Sequence, residues 1–198
     1  YTLTPDTPEQ LKDHYIVTAK AKNGADPTWS IASSTITVYR SGALDILVGG
    51  EKEDYEACLD LFSAMGKNIT WYGPSGCGQH AKLANQIMQA GIMSGVCEAL
   101  SYVEEKGLDP EVFMEGAAAG AGQNALLQAY GPRIVKGDLD PGFFIDFFIK
   151  DLKLAYDSAA ESGLALDSLA NTVSHYEKLS EEGLGRLGMQ ALMKYYEK

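Results

Sequence analysis

"GPSGCGQHAKLANQ", residues 73–86, follows a short apolar run and opens a segment with helical periodicity. Glycines between a predicted strand and a predicted helix are typical of loops that hold phosphate groups. The spacing here is G-x-x-G-x-G, whereas a dinucleotide fingerprint needs G-x-G-x-x-G and a P-loop needs G-x-x-x-x-G-K-[ST]. Lys82 lies beyond the position that a P-loop lysine takes. A free-standing phosphate site at 73–78 is therefore the least favoured interpretation.

The helix that follows these glycines carries Lys82, Asn85 and Gln86 on one face, because offsets of three and four residues place side chains next to each other. A lysine can donate or accept a proton, and amides can hold the oxygens of a hydroxyl, carbonyl or carboxylate group. A solvent-exposed lysine beside two hydrated amides has the same spacing. Spacing alone leaves both interpretations open.

Residues 1–72 mix helix and strand patterns. Thr7, Pro8 and Glu9 form a helix start and Gly24 a stop, which predicts a helix over 7–22. β-Branched residues predict that "WSIASSTITVY" is extended. Further along the chain the patterns predict a strand at 44–50, a helix in "EDYEACLDLFSAMG" and a strand in "NITWY".

Residues 73–198 show helical periodicity almost throughout, with breaks at Gly and Pro positions such as Pro132. The segment 78–106 reads as one long helix, and Gly91 and Gly95 on it predict a close helix–helix crossing. The sequence therefore predicts an α/β part over 1–72 followed by an all-α part over 73–198.

Composition narrows the function classes. The 198 residues carry a net charge of −11 without a basic stripe, which argues against nucleic-acid binding. No apolar run reaches the ~18–20 residues that a membrane-spanning helix needs. Cys58, Cys77 and Cys97 show no C-x-x-C spacing, so we expect reduced thiols in the cytoplasm and no metal site. The first residue is Tyr1 and not methionine, which suggests a fragment.

A second candidate for chemistry lies in "PGFFIDFFIKDLKLA", residues 141–155. Lys150 and Asp151 follow a very apolar run there. The pair is either the ordinary charged end of an apolar helix face or a lysine at the edge of a cleft, where it would meet an anion. The pattern does not decide between them.

Three stretches carry a resemblance to a known family: residues 41–86, "AYGPRIVKGDLDPGFFIDFFIKDLKLA" at 129–155, and "GMQALMKYYEK" at 188–198. In this order they resemble the β-hydroxyacid dehydrogenase family, which includes 3-hydroxyisobutyrate dehydrogenase and 2-hydroxy-3-oxopropionate (tartronate semialdehyde) reductase. The resemblance implies a Rossmann-like NAD(P)-binding domain, with 1–72 as its C-terminal part. It implies that 73–198 is an all-α substrate and dimerisation domain, similar to the C-terminal domain of 6-phosphogluconate dehydrogenase.

The resemblance also implies an activity, a cofactor and site residues. The reaction would be hydride transfer between NAD or NADP and a short β-hydroxyacid or its semialdehyde, in a homodimer or higher homo-oligomer. Lys82 matches the family's catalytic lysine, which moves the hydroxyl proton. The matched substrate-binding positions are Ser33, Ser34, Asn85, Gln86 and Asn124, and those near the cofactor are Lys150 and Asp151.

The sequence departs from the family pattern in two places. The family's substrate loop usually has glycines where "WSIASST" has Ser34 and Thr35, and the family's G-x-G-x-x-G would lie upstream of Tyr1. We therefore expect a truncated chain with an incomplete cofactor site. The alternative is a non-catalytic dimerisation or partner-binding module derived from the same fold.

Overall fold

The computed structural model describes residues 2–3, 14–20, 31–38 and 44–197. The chain divides into two compact units, Tyr1–Lys82 and Leu83–Lys198. The division falls within the early turns of helix α3 (Cys77–Glu105), whereas the domain boundary predicted between 72 and 73 lies at the turn that precedes this helix.

The first unit contains a sheet that, among the described residues, has five strands in the order β1-β2-β3-β4-β5. The first three pairings are antiparallel, and β4 and β5 are parallel. Two helices connect that parallel pair. The strands are β1 (Thr2–Leu3), β2 (His14–Lys20), β3 (Ile31–Val38), β4 (Leu44–Val48) and β5 (Asn68–Trp71), and the helices are α1 (Lys52–Ala57) and α2 (Leu59–Met65).

The strands predicted at 44–50 and in "NITWY" are confirmed, as is the extended "WSIASSTITVY" over the residues of β3. The helix predicted over 7–22 is wrong for His14–Lys20, which form β2 and pair along their whole length with β3. Aromatic and β-branched residues such as Tyr15, Ile16 and Val17 favour a pleated surface, and pairing with a neighbouring strand outweighs a local helix-start signal. The remaining residues of that prediction, 7–13 and 21–22, lie outside the described residues.

The glycines of the 73–78 turn have a structural explanation within the first unit. A Cβ atom on Gly78 would lie 2.7 Å from the carbonyl oxygen of Leu47 and 2.8 Å from the backbone nitrogen of Gly49. A Cβ atom on Gly49 would in turn lie 2.7 Å from the nitrogen of Gly78. Only glycine allows two backbones to approach this closely, so the last glycine of the turn seats the start of α3 against the end of β4.

The second unit is helical. After α3 come α4 (Pro110–Ala119), α5 (Ala125–Val135), α6 (Ile145–Glu161) and α7 (Asp167–Leu179), and the last described helix is α8 (Met193–Tyr196). The long helix predicted over 78–106 is confirmed as α3. The break predicted at Pro132 is wrong, because α5 continues through it to Val135.

The core of the second unit joins α3, α6 and α7. Met93, Leu100, Phe148, Leu152 and Tyr176 are all 0% exposed. The rings of Phe148 and Tyr176 pack edge to face with centroids 5.3 Å apart, and the Tyr176 hydroxyl donates a hydrogen bond of 2.8 Å to the carbonyl of Met189. This bond satisfies the one polar group that Tyr176 brings into the core.

The small residues of α3 do not form a helix crossing within the described part of the chain. Gly91 and Gly95 are exposed, and a Cβ atom on either would have no neighbour within 4 Å outside its own helix. The crossing predicted from these glycines is therefore wrong for the described chain.

Candidate active site

Lys82 lies half-buried in the second turn of α3. Asn85, also half-buried, and Gln86, which is 2% exposed, follow on the same helix at offsets of three and four residues. The structure thus gives these residues the shared helix that the sequence predicted. Their chemical roles stay predictions.

A hydrogen-bonded network connects Gln86 with the pair predicted on α6. The amide nitrogen of Gln86 donates to Oδ2 of Asp151 at 2.9 Å, and its carbonyl oxygen accepts from the amide of Gln89 at 2.9 Å. The other carboxylate oxygen, Oδ1 of Asp151, lies 3.2 Å from Nζ of Lys150. Asp151 therefore uses both oxygens, one toward a buried amide and one toward an ammonium group.

Burial is graded along this network. The Asp151 side chain is 20% exposed and the Lys150 side chain 67% exposed. Phe148 and Leu152, two residues before and after Lys150 on α6, are buried in the core. Their burial sets the orientation of α6, which leaves Lys150 at the surface. The structure thus has features of both sequence interpretations, since the pair ends an apolar face and also presents an ammonium group to solvent.

Asn124 has a local explanation. It is the N-cap of α5, where its side-chain oxygen accepts a hydrogen bond of 2.7 Å from the backbone nitrogen of Leu127. Its amide nitrogen donates to the carbonyl of Gly122 at 3.0 Å. A capping amide of this kind stabilises a helix start without any ligand. Substrate binding by Asn124 stays a prediction.

Ser33 and Ser34 lie within β3, where their backbones pair with Thr18 and Val17 of β2. The segment aligned with the family's substrate loop is thus a strand from Ile31 onward. Their side chains lie outside what the structure describes, so their contact with substrate stays a prediction.

Sequence analysis missed two polar residues. Gln89 extends the network of Gln86, and its offset of three residues from Gln86 was a usable signal. Arg186 stacks over the ring of Phe144, with its guanidinium carbon 4.4 Å from the ring centroid. No local pattern signals that contact, because the two residues are far apart in the sequence.

Other chemistries find no support among the described residues. There, no group of three or more His, Cys, Asp and Glu side chains is placed to hold a metal ion. Burial, together with the nearby charge of Glu98, raises the pKa of the Cys97 thiol to about 12, which keeps it protonated and unreactive. In the same residues we find no helix with the length and apolar character needed to cross a membrane.

Two protein-family models match the chain. A family model described as the NAD-binding domain of NADP-dependent 3-hydroxyisobutyrate dehydrogenase matches residues 76–196, and one described as the NAD binding domain of 6-phosphogluconate dehydrogenase matches residues 33–73. The chain belongs to the β-hydroxyacid dehydrogenase family. NAD or NADP is accordingly the cofactor, as the resemblance implied.

Curated relatives agree with this family. An uncharacterised oxidoreductase of Bacillus subtilis, YkwC, is 41% identical over 80% of the chain and 55% of its own length. The 2-hydroxy-3-oxopropionate reductase of Escherichia coli is 35% identical over 80% of the chain and 54% of its own length. The chain spans about half the length of the curated relatives that it matches.

Solved structures support the fold. The 3-hydroxyisobutyrate dehydrogenase of Mycobacterium tuberculosis, solved with L-serine, superposes with a TM-score of 0.77 at 21% identity, covering 83% of the chain and 60% of that protein. The expected fold class, part of a Rossmann-like domain followed by a helical domain, is confirmed.

The described residues fit the cofactor only in part. The turn at 73–78 offers no room for a pyrophosphate beside Gly78, since backbone of the chain's own β4 occupies the space where a Cβ atom would lie. The exposed ammonium group of Lys150 does fit contact with a negatively charged cofactor group.

Proposed function

We propose that the chain is part of an NAD(P)-dependent oxidoreductase that acts on short β-hydroxyacids or their semialdehydes. The observation that carries this proposal is the half-buried Lys82, which lies on α3 one turn before Gln86 and its network to α6. Family membership supports the reaction class. The same fold without Lys82 would not support it.

Lys82 acts as the general acid/base in this proposal. When bound, NAD(P) would supply the hydride donor or acceptor for this reaction. Lys82 accepts the hydroxyl proton during oxidation and returns a proton to the carbonyl oxygen during reduction, a contribution of ~10²–10⁴-fold in rate. Ser33, Ser34, Asn85 and Asn124 are the proposed contacts to substrate.

Gln86 takes a positioning role. Both ends of its buried amide are bonded to protein groups, the nitrogen to Asp151 and the oxygen to Gln89. We infer that Gln86 fixes the carboxylate of Asp151, which in turn holds Lys150 where it meets the cofactor. In this arrangement Gln86 acts on substrate only through other residues.

Assembly and location follow from further features. Met88 and Tyr102 on α3 are 61% and 63% exposed, and Gly91 and Gly95 between them leave open space, so we propose a homodimer formed by a second copy. Only monomer in equilibrium sedimentation at micromolar concentration would contradict it. The three cysteines are unpaired, which favours the reducing cytoplasm.

The test is Lys82→Ala in the full-length protein, assayed with NAD(P) and a panel of β-hydroxyacids and semialdehydes. We expect kcat to fall ~10²–10⁴-fold while cofactor affinity and the circular dichroism spectrum stay unchanged. Lys153→Ala is the matched control, because Lys153 is exposed and paired with Glu177. Activity of Lys82→Ala within a few fold of wild type refutes the proposal. An intact wild-type protein without turnover on the whole panel favours the non-catalytic module.

A further inference from the structure

Arg186 is held in place by aromatic rings instead of by a carboxylate. Its guanidinium carbon lies 4.4 Å from the centroid of the Phe144 ring and 6.0 Å from that of Phe147. The two rings pack edge to face, with centroids 5.5 Å apart. The N–H groups of a guanidinium point outward from its edge. A guanidinium that lies over a ring can therefore still donate hydrogen bonds to a ligand.

The backbone beneath Arg186 is also fixed. Phe144 and Gly188 form an antiparallel bridge, the nitrogen of Ile145 donates to the carbonyl of Leu187, and the nitrogen of Asp146 donates to the carbonyl of Gly185. Arg186 lies between these bonded positions. Its side chain therefore starts from a defined point beside the first turn of α6.

Arg133 shows what a structural arginine looks like in the same unit. Its guanidinium makes hydrogen bonds of 2.7 and 3.0 Å to the carboxylate of Asp138 and one of 2.7 Å to the carbonyl of Asp140. Arg186 is exposed, and among the described residues it makes neither a hydrogen bond nor an ion pair.

The two aspartates in the first two turns of α6 are bonded to other groups. Asp146 accepts a hydrogen bond of 2.7 Å from the Ser180 hydroxyl, and Asp151 is bonded to Gln86 and Lys150. Lys150 follows Phe147 by three residues, so the two lie on the same face of α6, and Arg186 lies over that Phe147 ring at 6.0 Å. The helix face that carries the Phe147 ring thus also carries a second cation, in a chain whose net charge is −11.

We propose that Arg186 and Lys150, on the surface formed by Phe144 and Phe147, make up an anion-binding site for the carboxylate or phosphate group of a small molecule. Arginine offers a planar pair of donors that matches either group, and lysine adds a point charge. The role of this ligand as substrate or cofactor rests on the proposed function, whereas its binding does not.

The test is an NMR titration of the ¹⁵N-labelled chain at constant ionic strength, with malonate in one arm and inorganic phosphate or pyrophosphate in the other. We expect saturable shifts of the Arg186 Nε–H signal in the millimolar range, while the Arg133 signal, already bound to Asp138, stays still. Tighter binding of malonate assigns the site to a substrate carboxylate, and tighter binding of pyrophosphate assigns it to a cofactor phosphate.

Variants separate this site from the proposed reaction. Arg186→Gln is expected to weaken anion binding about tenfold or more. Arg186→Lys and Lys150→Gln should weaken binding less than this. Lys153→Gln is the control and should bind as wild type does. Lys82→Ala should bind the anion as wild type does, even if it also abolishes turnover. Equal responses of Arg186 and Arg133, or unchanged binding by Arg186→Gln, overturn the inference.

Discussion

The helical unit Leu83–Lys198 and the sheet unit Tyr1–Lys82 are each stabilised internally by a different kind of contact. The helical unit has one continuous core, in which side chains such as Met93, Phe148 and Tyr176 are fully buried. Among the described side chains of the sheet unit, the buried cluster is Ile46, Val48 and Phe62. There the strand pairing and the backbone contact of Gly49 with Gly78 carry much of the architecture. We therefore expect the helical unit to be most sensitive to loss of buried side chains, and the sheet unit to be most sensitive to substitutions that disturb backbone contacts.

Two spectroscopic probes can follow the units separately. Both tryptophans, Trp29 and Trp71, fall within Tyr1–Lys82, so tryptophan fluorescence reports on the sheet unit. Trp71 is half-buried, and its indole nitrogen donates to the carbonyl of Gly50 at 2.9 Å, so its environment depends on the fold of that unit. Far-UV circular dichroism is dominated by the long helices of the other unit.

The largest effect is expected for Phe148→Ala in the helical core. Phe148 is 0% exposed and packs against Phe143 and Tyr176, so the substitution loses buried area and leaves a cavity, at about 3–5 kcal/mol of the free energy of unfolding. Urea titration should show the circular dichroism transition at a much lower midpoint. The fluorescence transition should move less.

The comparison of the two units fails if both probes shift by the same amount in Phe148→Ala. That result would mean that the chain unfolds as one cooperative block. Exposed Leu154→Ala, on the same helix, is the control and should leave both transitions near their wild-type positions.

Gly78→Ala is expected to have the next largest effect, and in the other unit. The new Cβ atom would meet the backbone of Leu47 and Gly49, which cannot move aside as a side chain can, so we expect a loss of ~1–3 kcal/mol. The fluorescence transition should fall more than the circular dichroism transition. Gly116→Ala in α4, also with open space around it, should be neutral or stabilise by ~0.5–1 kcal/mol. A wild-type fluorescence midpoint for Gly78→Ala would show that the close approach is dispensable.

Most elements of the fold could be predicted from the sequence. Of the candidate site, the residues that share α3 could be predicted, but the bonds between helices could not. Helical and strand periodicities are local, so α3 and the strands at 44–48 and 68–71 could be predicted from them. Strand β2 could not, because its partner β3 overrides a local helix signal. The face of Lys82 and Gln86 follows from spacing, whereas the bond from Gln86 to Asp151 joins two helices distant in sequence. Buried Gln190, which binds the carbonyls of Asp138 and Asp140, is hidden from sequence for the same reason.

The smallest effect concerns pH, and it should be confined to the helical unit. His175 stacks on Tyr195 with ring centroids 3.9 Å apart and lies 3.3 Å from the Tyr196 hydroxyl. Burial lowers the pKa of His175 below its ordinary 6.5; the charge of Lys178 also lowers it, while that of Glu98 opposes the shift. The unfolded chain therefore binds this proton more readily, and stability is lost as pH falls below the unfolded pKa, until the folded histidine is protonated too.

Urea midpoints between about pH 7.5 and about pH 5 test this, with wild type compared with His175→Gln. Subtracting the two profiles removes the carboxylates that titrate in both proteins. We expect the circular dichroism midpoint of wild type to fall with pH more steeply than that of the variant, by less than the Gly78→Ala effect. The fluorescence midpoints of the two proteins should run parallel. Parallel circular dichroism profiles would contradict the role of His175, and a difference in the fluorescence profiles would show that the two units are coupled.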